Sequence, residues 1–156
     1  MTIALRPLAD TDLDDVFRWE SHPVATAMAA FTRADPTDRA AFDAHYRRVR
    51  ADPANLLLVI EDDGRLVGTI SSFTIDGERE VSYWIDPERW GRGIASEALR
   101  LLLDREPQRP LHARTAAHNP ASAAVLRRVG FVRIGTETSW AAGVGREVVE
   151  HIHRLS

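Results

Sequence analysis

Trp90-Gly91-Arg92-Gly93-Ile94-Ala95-Ser96-Glu97-Ala98-Leu99 joins a strand-like run to an apolar-periodic helix through a turn that holds two glycines. Upstream, Val81-Ser82-Tyr83-Trp84-Ile85 is dense in β-branched and aromatic residues and stops at Asp86-Pro87, as a strand leaving a sheet would. Downstream, Ile94, Ala98, Leu101 and Leu102 recur at helical spacing, which predicts a buried helix beginning near Gly91. The first turn of a helix carries backbone N–H groups without internal partners and the positive end of the helix dipole. Gly91 and Gly93 would let a phosphate approach that backbone closely. A P-loop is excluded, because Ile94 and Ala95 follow Gly93 where a lysine and a Ser or Thr are needed. A dinucleotide fingerprint fares no better: Ser96 stands in its third glycine position, and no acidic residue closes a second strand about 20 residues on. Taken alone, the glycine pair suits either a phosphate site or a tight strand-to-helix turn.

The longer segment Ile85-Asp86-Pro87-Glu88-Arg89-Trp90-Gly91-Arg92-Gly93-Ile94-Ala95 resembles the acetyl-CoA pyrophosphate loop of the GNAT N-acetyltransferases, Q/R-x-x-G-x-G/A. Trp90 takes the Q/R place, Gly93 that of the fixed glycine and Ala95 that of the final small residue. With Glu97-Ala98 the loop is similar to the W-G-x-G-x-A-x-E-A form of the Rim-type, ribosomal-protein N-terminal acetyltransferase branch. A second segment agrees: Asn119-Pro120-Ala121-Ser122, followed by Gly130-Phe131, resembles the N-x-x-S…GF element of that branch. The likeness extends from Leu5-Arg6-Pro7-Leu8 and Trp19 to the closing strand at Val148 to Leu155.

The resemblance implies a mixed α/β fold: a mostly antiparallel central sheet of about seven strands, helices on both faces, and a splay between strands four and five. Read coarsely, the chain is one α/β domain over residues 1–156, with strands near 3–8, 55–61, 66–75, 79–86, 110–117, 131–138 and 146–154. Helices are expected over about 11–19, 37–51, 92–104 and 120–129. Asp62-Asp63-Gly64 and Asp76-Gly77 signal hairpin turns. Thr11 with Asp14 approximates a capping box, and Asn119 before Pro120 reads as an N-cap with proline in the first helical position. Residues 20–36 show no period and read as a variable connection roofing a substrate site.

Composition narrows the function classes. The 156 residues are 44% hydrophobic and 28% charged with a net charge of -3, which suits an ordinary globular domain rather than a nucleic-acid or acidic-membrane binder. The absence of cysteine removes disulfides, thiolate zinc sites and a cysteine acyl intermediate. Residues 1–20 carry Arg6, Asp10, Asp12, Asp14 and Asp15, so they do not read as a signal peptide, and a cytoplasmic protein is expected. The histidines, His151 and His153 on one strand face among them, read as surface or strand residues rather than metal ligands.

Acyl transfer from a thioester to an amine asks little chemistry of the protein: bind acetyl-CoA, orient the amine and manage one proton. The resemblance makes Trp84, Ile85, Trp90, Gly91, Arg92, Gly93, Ile94, Ala95, Ser96, Asn119, Ser122 and Arg128 the expected acetyl-CoA contacts. It also makes backbone N–H groups of Tyr83 to Ile85 the donors to the thioester oxygen. Glu80, at the start of that strand, is the acidic candidate for general base, with Tyr83 as its rival. The tyrosine acid usual in GNAT enzymes is replaced here by Leu126, leaving Ser122 as the nearest matching hydroxyl. Residues 21–33, with His22, Phe31 and Arg33, and the tail around Trp140 and Gly143 to Gly145 are expected to line the acceptor pocket. The expected partner is an amine, on a small molecule or a peptide or protein N-terminus, met by a monomer or homodimer. A non-catalytic acyl-CoA sensor is the alternative, and an unrelated nucleotide-binding protein a third.

Overall fold

Two Asp-Gly pairs fold the middle of the chain onto itself. Asp63-Gly64 and Asp76-Gly77 all adopt positive φ (50°, 82°, 51° and 78°), the geometry that two-residue hairpins with right-handed twist require. The computed structural model describes all of residues 1–156. In chain order its elements are β1 (Ile3–Pro7), α1 (Leu13–Glu20), α2 (Pro23–Ala29), α3 (Arg39–Ala51), β2 (Leu56–Asp62), β3 (Arg65–Ile75), β4 (Glu78–Ile85), α4 (Ile94–Arg105), β5 (Leu111–Ala116), α5 (Pro120–Arg128), β6 (Val132–Ala141) and β7 (Arg146–Leu155). Short 3-10 turns at Asp10–Asp12 and Pro87–Arg89 precede α1 and the glycine loop.

The strands form one seven-stranded sheet in the order β1-β2-β3-β4-β5-β7-β6. Every neighbouring pair is antiparallel except β4 and β5, which are parallel and meet over two registered pairs alone, Arg79 with Leu111 and Glu80 with His112. Beyond Glu80 the two strands separate, as the resemblance implies. One face carries the main core, where Val81 and Ile85 of β4 pack with Ile94, Leu99 and Leu102 of α4 and Leu126 of α5. Truncating a fully buried leucine such as Leu99 to alanine would cost about 2–5 kcal/mol. On the other face Val16 and Trp19 of α1 and Phe42 of α3 gather with Trp84.

Several expectations need correction. Residues 20–36 are not all irregular, because α2 forms there behind a His22 cap, whose Nδ1 accepts the Val24 N–H at 3.2 Å, with Pro23 in the first turn. Its alanines give no apolar stripe; Ala30, just after the helix, packs instead with Ala116, Ala141 and Val148. The capping box at Thr11 and Asp14 does not form: α1 begins at Leu13, and the Asp12 carboxylate accepts the Ala9 N–H at 2.8 Å while gripping Arg6. The strand bearing the histidine pair is interior to the sheet, so His153 is buried and bonded to the Thr115 hydroxyl at 2.8 Å rather than a solvated edge residue.

Candidate active site

The glycine turn is built by backbone conformation. Gly91 and Gly93 have φ of 78° and 79°, and an added Cβ at either would meet no protein atom within 4 Å. The left-handed backbone therefore demands the glycines, and the space beside them stays open. Gly93 caps α4, so the helix starts at Ile94, later than the spacing suggests. Its first-turn N–H groups point out of the helix toward that open space. Trp90 pins the loop to the strand by donating its indole Nε1–H to the Ile85 carbonyl at 3.0 Å.

The strand end is equally specific. Asp86 donates its N–H to the Val67 carbonyl of β3 at 2.9 Å. Alternation along an antiparallel pair then sends the Trp84 N–H to β3 and turns the N–H groups of Tyr83 and Ile85 toward the side that β5 has left. Two donors, rather than three, face the opening.

A cavity of about 570 Å³ lies along this opening, between the glycine loop, β4, α5 and the inner side of α2. Tyr83, Trp84, Ile85, Trp90, Gly91, Arg92, Gly93, Ile94, Ala95, Ser96, Asn119, Ser122 and Arg128 all line it, so the expected thioester-side contacts come together in one place. Arg89, a neighbour of the loop, also lines it without having been singled out, and α2 residues Ala25, Met28 and Ala29, within the 21–33 stretch expected at the acceptor pocket, line this cavity instead. Arg128 donates to the Ser96 hydroxyl at 3.3 Å, whereas its neighbour Arg127 does not line the cavity. Asn119 caps α5 by accepting the Ser122 N–H at 3.3 Å.

Tyr83 and Ser122 share a 2.6 Å hydroxyl–hydroxyl hydrogen bond inside this cavity. Burial pushes the Tyr83 phenol up to about 12, against the pull of the Ser122 hydrogen bond, so it stays protonated at neutral pH and does not serve as a base.

A second cavity, of about 500 Å³, opens on the other face of the sheet and shares Tyr83 and Trp84 with the first as lining residues. Phe31 and Arg33 line it. His22, Trp140 and Gly143 to Gly145 do not: the tail turn docks on α2 instead, with Gly143 donating to the Ala30 carbonyl at 2.8 Å. Adding a Cβ to Gly143 would bring it within 2.1 Å of the Thr26 carbonyl, so this glycine serves a close backbone approach.

Glu80 lines neither cavity, although its cross-strand partner Phe73 and Ser82, two residues on, both line the second. Its carboxylate, 14% exposed, accepts from Arg114 Nε at 3.3 Å, and Arg114 also binds Glu137 and Glu150. Burial raises the Glu80 pKa, and the Arg114 guanidinium offsets part of that rise.

Comparison with known proteins fits this geometry. An acetyltransferase (GNAT) domain model matches residues 2–132. A mycothiol acetyltransferase of Clavibacter sepedonicus is 33% identical over 139 residues, 83% of this chain; the chain spans 42% of that relative's length. Spermidine N-acetyltransferase from Vibrio cholerae, solved in complex with CoA and spermine, has the same fold, with a TM-score of 0.84 at 20% identity over 98% of this chain and 94% of that one. RimJ of Mycobacterium smegmatis, solved in complex with CoA-disulfide, is 25% identical over 96% of this chain and 80% of that one, with a TM-score of 0.77. A family match that runs from the first strand to the start of the sixth makes this chain a member of the GNAT acetyltransferase domain family.

Proposed function

We propose that this protein transfers the acetyl group of acetyl-CoA to a primary amine by direct attack within a ternary complex. The observation that carries the reading is a pair of cavities on opposite faces of the sheet that share Tyr83 and Trp84 as lining, on the stretch of β4 that has parted from β5. One cavity has the glycine turn, a helix start and the cations Arg89, Arg92 and Arg128, a set suited to the phosphates of CoA. The other is open to a second molecule. An amine entering from there would reach a thioester held against the freed strand edge.

Each group then has a role. The Tyr83 and Ile85 N–H groups bind the thioester arm and the oxygen on which negative charge develops; a donor so placed is worth about 3–4 kcal/mol in other enzymes. As the C–N bond forms, the amine proton leaves through water to Glu80, which burial keeps more basic than an ordinary carboxylate. As the C–S bond breaks, the sulfur takes a proton from the Tyr83–Ser122 hydroxyl pair, in place of the tyrosine that Leu126 replaces. No covalent enzyme intermediate is needed.

The test is ligand-dependent stability followed by turnover. Acetyl-CoA, unlike ATP or NAD, should raise the melting temperature by mass action. CoA thiol should then be released only when an amine is added. A rise with ATP or NAD alone would return the glycine turn to another nucleotide, and acetyl-CoA binding without amine-dependent thiol release would leave an acyl-CoA sensor.

A further inference from the structure

The second cavity has a chemistry of its own. Its floor is the β3–β4 face turned away from the main core, where Thr69, Ser71 and Ser82 set three hydroxyls in register between Phe73 and Trp84. A half-covered sheet face ordinarily favours β-branched and aromatic side chains that pack. Ile70, one residue out of phase, is wholly buried, so the hydroxyls belong to the cavity face alone. Phe31 and Tyr46 add aromatic surface above this polar floor.

All but one of the charged groups of the cavity are already committed. Glu20 accepts Arg33 Nη1 at 2.7 Å and the Tyr46 hydroxyl at 2.5 Å. Arg33 Nη2 donates to the Pro36 carbonyl at 3.3 Å, and its Nε is buried out of reach. Asp52 is exposed and takes the Ala54 N–H at 2.9 Å. His45 is held toward its neutral form by burial, Glu20 opposing and Arg48 and Arg33 reinforcing the effect. A polyamine would find one free carboxylate where it needs several, and a free amino acid would find the guanidinium neutralised by Glu20. Hydroxyls donate and accept equally and so match hydroxyls on a ligand.

Resting on the acetyl-transfer reading, we propose that the acceptor is a compact amine on a polyhydroxylated, otherwise uncharged skeleton, of the amino-sugar kind. Its hydroxyls bond Thr69, Ser71 and Ser82, and its ring lies among the aromatic side chains. A cavity of about 500 Å³ is large enough for one such ring beside the reacting thioester.

The experiment measures CoA thiol release from acetyl-CoA with glucosamine, galactosamine, a seryl-alanyl peptide amide, spermidine, alanine and hydroxylamine. An amino sugar should show the highest kcat/KM of the carbon-bearing amines, at least tenfold above the peptide. Thr69→Val and Ser82→Ala should each raise its KM about tenfold, the loss of one neutral hydrogen bond. A better rate with the peptide, alanine or spermidine overturns the assignment, as does an amino-sugar KM that neither variant moves in protein still stabilised by acetyl-CoA. Hydroxylamine, too small to need the floor, reads acetyl transfer by itself once its uncatalysed cleavage of acetyl-CoA, measured without enzyme, is subtracted. Enzyme-dependent release with hydroxylamine and none with the amino sugars overturns the acceptor alone; enzyme-dependent release with none of these amines overturns acetyl transfer as well.

Discussion

The two ends of β4 are built in opposite ways. At its start, Arg79 is buried and donates Nε to Glu106 at 2.7 Å; Ser72 donates to the same carboxylate at 2.7 Å, and Arg79 Nη2 reaches Ser72 at 3.2 Å. There the strand is tied to β3, to the end of α4 and, through Arg79 and Glu80, to β5. At its finish, Tyr83 and Ile85 turn N–H groups toward a space that no strand fills. Unpaired backbone in mid-sheet is costly unless something binds it. The contrast teaches that a split sheet needs a fastening as much as an opening: the buried network holds the strands together up to Glu80, so that their separation begins at a fixed residue.

The sharpest way to break the contrast is to undo the closed end. Glu106→Leu or Arg79→Met alone strands a buried charge and should cost about 3–5 kcal/mol in urea unfolding, while the double variant should recover most of that loss. Burial alone would raise the Glu106 pKa, but hydrogen bonds from Ser72, Arg79 and the Gln108 N–H outweigh it and leave the carboxyl below its ordinary value. A depressed folded pKa stabilises the protein fully above the unfolded value, near 4.5, and the contribution is lost as pH falls through the folded pKa. Stability of the wild type should therefore fall faster below that pH than stability of the double variant.

The open end is broken next. Gly93→Asp places a carboxylate beside the phosphate cradle; a like charge about 4 Å away costs about 4 kcal/mol at a protein surface, so acetyl-CoA affinity should fall by at least about 100-fold by calorimetry. Unfolding should change far less, because the strain is that of one left-handed residue. Glu80→Gln should lower kcat by about 100-fold with acetyl-CoA affinity unmoved. In the wild type kcat/KM should rise with pH as Glu80 loses its proton, at a pH above the ordinary carboxylate value because burial raises its pKa; the variant should lose that limb. Arg128→Ala is the mildest, raising the acetyl-CoA KM by a few-fold with kcat nearly constant, since it removes one exposed cation from the rim of the proposed phosphate site.

The open end was legible and the closed end was not. The run Val81 to Ile85, the glycine pair and Asn119-Pro120 are local signals, each read within a few residues, and they mark the strand, the turn and the cap; the sheet split followed from the resemblance, and the helix starts at Ile94, later than its spacing suggests. Arg79 lies in Glu78-Arg79-Glu80 and reads as part of a solvated charged turn; its partner Glu106 is distant in sequence, and no local pattern marks a buried ion pair. α2 escaped for a related reason: it carries no amphipathic stripe, and it is Ala30, just after it, that packs against Ala116, Ala141 and Val148 of β5, β6 and β7. The second cavity was legible only through Phe31 and Arg33. Its floor of Thr69, Ser71 and Ser82 emerges once strand register puts β3 and β4 side by side.

The most direct measurement is residue-resolved amide hydrogen exchange with and without acetyl-CoA. In the free protein the Tyr83 and Ile85 amides should exchange quickly and Trp84, bonded to β3, slowly. Saturating acetyl-CoA should slow Tyr83 and Ile85 by at least about tenfold, as expected when an exposed donor gains an acceptor, and leave Trp84 close to its free value. Unchanged exchange at Tyr83 and Ile85 in acetyl-CoA-saturated protein would contradict the claim that the freed edge of β4 is the thioester site.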